Sequence, residues 1–304
     1  MDLYHRLDRT PQHRWWRAPA AAALVVVLAL ALQLVLFLGF AAAGAIAGRP
    51  DGPEGVPSLG PLADLALTFL SVAVLLPAVW LAVLCLQHRR PGTLSSVAGR
   101  LRGRLLARAL PLAGASAVLS LVAGVGLSVA TGAPSGVEGT FAGWWDSARG
   151  VVVVLLVVPV QAAAEEYAFR GWLLQALGAY ARRPWLPIAV QALLFAALHG
   201  WGTPWGFADL VVFGVLTGWL TVRTGGLEAA IALHVANNVL AGLLAVGTGQ
   251  LTVDGTAADA PWQVVVVDVL VVAVYTLVVA RLSPPGAPAA VPSVTLAPVA
   301  AGMR

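Results

Sequence analysis

The chain alternates between long apolar runs and short segments that carry arginine, and no other feature constrains its fold as much. The first run, residues 18–47, has no charged side chain. About 20 apolar residues are enough for a helix to cross the hydrocarbon core of a bilayer. Hydrophobic residues make up 59% of the sequence and charged residues 11%, whereas about a quarter of the residues in a soluble domain are charged. The sequence therefore predicts an all-α, polytopic membrane protein.

Eight transmembrane helices are predicted from the apolar runs. They cover approximately residues 18–47, 62–86, 109–130, 150–181, 185–199, 207–222, 227–246 and 262–280. The first is expected to be a retained helix, because no small-residue cleavage site follows it. The fourth is expected to be long, and to tilt or to kink at Pro159. In the sixth, Gly214 and Gly218 form a GxxxG face that lets another helix approach closely.

The arginines indicate how these helices are oriented. They concentrate in residues 1–17, in residues 88–108 and near later turns, at Arg182, Arg183, Arg223 and Arg281. Because positive residues favour the cytoplasmic side, eight helices with both termini in the cytoplasm satisfy this distribution, and seven do not. The net charge of +4 then reports topology in a multi-pass protein of the cell membrane. Membrane lipids are expected partners, and nucleic acid is not.

The sequence is divided into five segments by these patterns. Residues 1–17 are predicted to be a cytoplasmic tail, and residues 18–149 three helices with their loops. Residues 150–248 form the predicted catalytic core, residues 249–282 the last loop and helix, and residues 283–304, rich in Pro and Ala, a disordered tail. Residues 88–108 are expected to form an amphipathic helix on the membrane surface. The single cysteine, Cys85, rules out an internal disulfide.

Two carboxylates and an arginine interrupt the fourth apolar run, within the sequence QAAAEEYAFR at residues 161–170. An ionisable group at membrane depth costs about 2.5–3.5 kcal/mol on insertion scales, so each needs a partner or a function. Glu166 and Arg170 are four residues apart in the order that favours a helical ion pair. Glu165 points about 100° away from that pair and has no local partner. Glu165 is therefore the predicted working carboxylate, and Glu166 with Arg170 its support.

Three further polar residues lie inside apolar segments: His199, His234 and Asn238. His234 and Asn238 are four residues apart and share a helix face, whereas Asn237 is interpreted as a packing residue. At about 1.5 Å per residue, Glu165 and His199 come out level, roughly 24 and 22 Å from the cytoplasmic turns. His234 comes out only about 15 Å from its turn, so the turn at Gly225 and Gly226 must be drawn into the protein or the helix must tilt.

A glutamate, two histidines and an asparagine that converge in a dry cavity have two chemical uses. In the first, Glu165 is a general base for water that His199 positions, while His234 and Asn238 donate hydrogen bonds to an oxyanion. In the second, Glu165, His199 and His234 hold a divalent metal such as zinc, with an open position for water. The residues alone leave both possibilities open.

Three motifs together resemble a known family. They are Glu165-Glu166-x-x-x-Arg170, Phe195-x-x-x-His199 and His234-x-x-x-Asn238, in this order and on three hydrophobic segments. This set resembles the CAAX protease and bacteriocin-processing (CPBP, formerly Abi) family of intramembrane proteases, over about residues 150–245. The resemblance implies that Glu165 is catalytic, that His199 positions water and that His234 and Asn238 bind the oxyanion. Members are labelled metalloproteases or assigned a metal-free glutamate mechanism, and our interpretation favours the metal-free one.

The expected function is therefore cleavage of a membrane-associated or lipidated peptide. Two alternatives remain: a non-catalytic scaffold or bacteriocin self-immunity protein of the same fold, and a small transporter or proton-coupled channel. Motifs of other intramembrane proteases, such as HExxH, are absent from the sequence. Four other acids lie near predicted helix ends and are interpreted as caps or interfacial residues: Asp64, Asp209, Glu228 and Asp268.

Overall fold

The computed structural model describes residues 4–50, 55, 58–134, 137, 139–251 and 255–283. Within these residues the secondary structure is helical and no β-strand occurs, which confirms the predicted all-α class. The predicted disordered tail lies, except for Ser283, outside the described residues. The helices are α1 Arg17–Ile46, α2 Pro61–Ala73, α3 Leu75–Cys85, α4 Gly92–Ser95, α5 Gly103–Ala130, α6 Trp144–Glu166, α7 Leu174–Gly178, α8 Trp185–Leu198, α9 Pro204–Thr224, α10 Glu228–Gly247 and α11 Trp262–Leu282.

Seven helical segments of the described chain are long and apolar enough to cross a membrane, one fewer than predicted. The exception is α8, whose 14 residues span only about 21 Å. Pro184 precedes this helix and Gly200, with a φ of 95°, follows its end. The prediction of eight spanning helices is therefore corrected to seven. α8 is an additional, shorter apolar helix that is not one of the seven.

One end of the bundle gathers the arginine-bearing segments. The Tyr180 hydroxyl donates to the Trp15 carbonyl at 2.7 Å, and the Leu227 N–H donates to the Ser95 carbonyl at 2.9 Å. Ser283, the last described residue, borders a groove with Arg102 at the same end. We call this the Arg-rich end, and it comprises residues 4–17, 86–108, 178–185, 223–228 and 281–283.

Although α8 is too short to count among the seven spanning helices, it also connects the two ends, so the described chain passes between them eight times. It starts at the Arg-rich end, and Gly200 beyond it lies against Thr256 at the opposite end. There the Thr203 hydroxyl donates to the Ala260 carbonyl at 2.7 Å. The first and last described residues thus share one end of the bundle, as the predicted topology requires. That this end faces the cytoplasm remains a prediction.

The Arg-rich end differs locally from the sequence prediction. Residues 88–108 do not form a surface helix, since only Gly92–Ser95 is helical before α5 begins. Arg89 turns inward to Asp8, with Nε 3.1 Å from Oδ1, and both side chains are buried. Burial raises the pKa of Asp8 although Arg89 opposes it, and burial lowers the pKa of Arg89. The predicted tail is therefore docked on the bundle.

The GxxxG face of α9 packs against α8, as predicted. A Cβ atom at Gly214 would lie 2.7 Å from the Cβ of Ala192, and one at Gly218 would lie 2.7 Å from the Nε2 of Gln191. A side chain at Gly214 would push the helices apart, whereas one at Gly218 would first displace the end of the Gln191 side chain. The close contact fixes α8, and therefore His199 just beyond its end, relative to α9.

Candidate active site

The predicted ion pair between Glu166 and Arg170 is present in the interior of the bundle. Nη1 of Arg170 lies 3.0 Å from Oε1 of Glu166, and both side chains are fully buried. Nε of Arg170 donates to the Thr217 hydroxyl at 3.1 Å. The guanidinium carbon lies 4.0 Å from the centre of the Phe195 ring and 5.4 Å from that of Phe213. The arginine is thus held by a carboxylate, a hydroxyl and two aromatic faces.

Glu165 and Glu166 end the α-helical part of a segment that continues in a wider form. Residues Tyr167–Leu173 are π-helical, and they join α6 to α7 in one helix of 35 residues, Trp144–Gly178. A π-helical turn inside an α-helix is often associated with a functional site. The prediction of a long fourth helix is confirmed, although it begins at Trp144 rather than near Gly150. The π-helical turn has no clear signal in the sequence.

His234 connects the two glutamates. Its Nδ1 lies 2.8 Å from Oε1 of Glu166, and its Nε2 lies 3.2 Å from Oε2 of Glu165. Because Glu166 is paired with Arg170, it is an anion that only accepts hydrogen bonds, so we assign a proton to Nδ1 of His234. The contact with Glu165 is within ion-pair distance but is not aligned as a hydrogen bond, and Oε2 is fully buried.

His199 approaches Glu165 from the end of α8. Its Nε2 lies 3.9 Å from Oε1 of Glu165, and its side chain is 21% exposed. Nδ1 contacts the Phe195 carbonyl at 2.8 Å. A carbonyl can only accept, so the proton of a neutral His199 is on Nδ1 and its Nε2 has a free lone pair. The structure therefore brings both predicted histidines to the predicted working carboxylate.

The difference in depth of His234 is explained by the turn before α10. Gly225 has a φ of 72°, and the residues 224–227 are buried. Val97 donates to the Gly225 carbonyl at 2.9 Å, so the turn is covered by the segment that precedes α5. Of the two predicted possibilities, the turn drawn into the protein is present. This placement lets a helix that begins at Glu228 deliver His234 to the level of Glu165.

A cavity of about 410 Å³ adjoins the two histidines, and we call it the main cavity because it borders the candidate site. Asn238 lines it and donates from Nδ2 to Oε1 of Gln161 at 3.1 Å. Asn237 lines it too, and its interpretation as a packing residue stays a prediction. Gln161, which sequence reasoning missed, is polar in an apolar run and four residues before Glu165, a signal that could have identified it.

Two acids interpreted from the sequence as helix caps or interfacial residues also line the main cavity. Asp209 and Asp268 lie inside α9 and α11, whereas the residues that precede those helices are Thr203 and Pro261. The Ser120 hydroxyl donates to Oδ1 of Asp268 at 2.7 Å. The capping interpretation is therefore wrong for both. Glu228, by contrast, does lie in the first turn of its helix, where it binds Arg102.

The metal alternative can be tested on the donor geometry. Among the described residues, no three His, Cys, Asp or Glu side chains are grouped as metal ligands. Nδ1 of His234 contacts Glu166, whereas Nε2 of His234 and Nε2 of His199 lie 3.2 and 3.9 Å from oxygens of Glu165. The described residues therefore give no assigned metal centre, and no step through a metal is derived below.

Comparison with known proteins gives one family and one relative. Residues 147–240 match the family model described as type II CAAX prenyl endopeptidase Rce1-like. The chain is 34% identical over 95 residues to the uncharacterized protein YyaK of Bacillus subtilis (strain 168). That match covers 29% of this chain and 32% of YyaK, about a third of its length. No solved structure matches significantly. Residues 147–240 are therefore similar to the Rce1-like family, in agreement with the family resemblance predicted from the three motifs.

Proposed function

We propose that this chain is an intramembrane endopeptidase that cleaves a membrane-associated or lipidated peptide with water activated by Glu165. One observation carries the proposal: a continuous line of contacts from Arg170 through Glu166, His234 and Glu165 to His199. The line begins at a fully buried cation and reaches a histidine on the main cavity. The Rce1-like domain supports a protease-type function.

The charges along this line support an ionised Glu165. Glu166 binds both Arg170 and Nδ1 of His234. If His234 also carries a proton on Nε2, two cations offset two carboxylates and the buried group is neutral as a whole. Such balance matters because an unpaired charge in the interior is costly. Glu165 can then accept a proton as a general base.

The attacking water is proposed to bind between Oε1 of Glu165 and Nε2 of His199. Both atoms are acceptors, and their separation of 3.9 Å lets one water donate a hydrogen to each. The water oxygen then directs a lone pair at the carbonyl carbon of the peptide. Glu165 takes the proton as the C–O bond forms, and later gives it to the departing amine as the C–N bond breaks.

The oxyanion is proposed to be bound by Asn238 and His234. Asn238 uses one Nδ2 hydrogen on Gln161 and has a second available. When Glu165 becomes neutral, Nε2–H of His234 loses its anionic partner and can donate to the oxyanion instead. Donors aimed at a developing charge in a dry site are a large source of catalysis.

The deciding experiment is hydrolysis of quenched fluorescent peptides, with and without lipid modification, by the purified protein in detergent. Wild type is compared with Glu165→Gln and His199→Ala, each with and without a chelator. We expect cleavage that both substitutions abolish or strongly reduce and that the chelator leaves intact. Loss of activity in chelator, restored by zinc, would contradict the metal-free mechanism. No cleavage by folded wild type would favour a scaffold.

A further inference from the structure

A second cavity of about 520 Å³ lies at the Arg-rich end, away from the main cavity. It is bounded by the start of α5, the end of α9 and the end of α11. We call it the basic groove, and the residues that define it here are Arg102, Arg104, Arg108, Leu112, Thr224 and Leu282. No acidic side chain lines it in the described part of the chain. The groove thus combines positive charge with an apolar wall.

The three arginines of the basic groove differ in their partners. Arg102 is fully engaged, because its guanidinium contacts Glu228 at 2.6 Å and donates to the Thr224 carbonyl at 3.0 Å. Arg104 and Arg108 are exposed and have no partner among the described residues. They are four residues apart on α5, so they project from the same face of the helix. Two uncompensated guanidinium groups therefore face the same groove.

The position of these arginines along α5 explains what the groove can bind. α5 begins at Gly103, and from Ala109 onward the helix carries no charged side chain. Arg104 and Arg108 therefore lie where the spanning part of the helix meets the membrane surface. Leu112 and Leu282 continue the groove from that level along the apolar part of the bundle. A ligand that fits this arrangement is anionic at one end and apolar at the other.

We propose that the basic groove binds an anionic phospholipid from the leaflet at the Arg-rich end. Arg104 and Arg108 contact the headgroup phosphate, since guanidinium groups match phosphate oxygens in geometry and charge. An acyl chain lies along Leu112 and Leu282. Basic pockets between transmembrane helices bind anionic headgroups in this way. The site is independent of the proposed peptidase activity and would exist in a non-catalytic protein.

The test is the thermal stability of the purified full chain in detergent, titrated with phosphatidylglycerol or with phosphatidylcholine. A ligand that binds only the folded state raises Tm with its concentration. We expect phosphatidylglycerol to raise Tm more than phosphatidylcholine. The double variant Arg104→Gln/Arg108→Gln should weaken the apparent affinity about 30-fold, or about fivefold per arginine. The matched control is Arg182→Gln/Arg183→Gln, which removes two exposed charges from the same end.

Two results would overturn the proposal. Equal weakening in both double variants would mean that the lipid responds to the overall charge of this end and not to the groove. A full Tm increase with inorganic phosphate alone would mean that the groove recognises an anion without its acyl chain. Loss of affinity confined to the Arg104 and Arg108 variant, with no effect of phosphate, would support the lipid site. Because the readout is stability, an inactive protein gives the same answer.

Discussion

Two pairs of carboxylates lie in the interior of the bundle, and their surroundings are opposite. Glu165 and Glu166 lie on one helix, and both contact His234 on another. Glu166 also pairs with Arg170. Asp209 and Asp268 line the main cavity from two other helices, and in the described part of the chain neither forms an ion pair with a cation. A carboxylate at membrane depth needs a nearby cation to stay ionised. Proximity to the cavity alone therefore does not make a general base.

The largest expected effect is on kcat, which should depend on the first pair of carboxylates and not on the second. Glu165→Gln should reduce kcat for peptide cleavage by about 10²–10⁴-fold, because an amide cannot accept the proton from water. Asp209→Asn is the matched control, since it makes the same chemical change on the same cavity. It should alter kcat by less than about threefold, or about 0.6 kcal/mol. Equal losses in the two variants, measured on one peptide, would remove the distinction between the pairs.

The supporting ion pair should control stability as well as activity. Glu166→Gln leaves a buried guanidinium without its counter-ion, and breaking a buried pair in this way costs about 3–5 kcal/mol. The double variant Glu166→Gln/Arg170→Met removes both charges and should recover part of that loss. The measurement is thermal unfolding in detergent. If Glu166→Gln were as stable as wild type, the Glu166 and Arg170 ion pair would not be what stabilises a buried charge at this depth.

His199 should affect the rate more than the binding of substrate. His199→Ala removes one of the two proposed acceptors for water, and misplacing a reactant costs on the order of 10²-fold in rate. We expect kcat to fall by this factor with KM nearly unchanged, and Tm to stay close to wild type because His199 is partly exposed. Steady-state kinetics and a melting curve on the same preparation check both. A change confined to KM would place His199 in peptide binding instead.

The sequence predicted the large features of the fold, because they follow from hydropathy. Apolar runs located the helices, and the Glu166 and Arg170 spacing predicted their ion pair. The predicted bounds of α8 differ from the observed ones by one residue, and the error was to count so short a helix as spanning. The docked N-terminal tail was missed too. Its burial depends on Arg89, 81 positions beyond Asp8, and a pairing at that distance leaves no local pattern.

The sequence indicated which residues belong to the candidate site but not which of them contact one another. Charge inside apolar runs identified Glu165, His199 and His234, because such groups need a reason to be there. That His234 lies between both glutamates depends on the buried Gly225 turn, which is fixed by tertiary contact with Val97. The same limit applies to Asp268, whose place on the cavity depends on the packing of α11. Helix periodicity shows which residues share a helix face, but the residue that each of them contacts depends on tertiary packing.

The smallest expected effects concern the second pair, Asp209 and Asp268, which we expect to contribute to stability and not to the reaction. The Ser120 hydroxyl donates to Asp268, so Ser120→Ala should lower stability by about 0.5–1.5 kcal/mol, the net value of one hydrogen bond. Asp268→Asn keeps an acceptor for that hydroxyl and replaces a carboxyl that has no ion-pair partner in the described part of the chain, so its Tm should stay close to that of wild type. Melting curves measure both, with peptide cleavage as the second readout. If Asp268→Asn instead lowered kcat tenfold or more at unchanged Tm, the second pair would take part in the reaction. The contacts of Glu165 and Glu166 with His234 and Arg170 would then no longer be what distinguishes a working carboxylate.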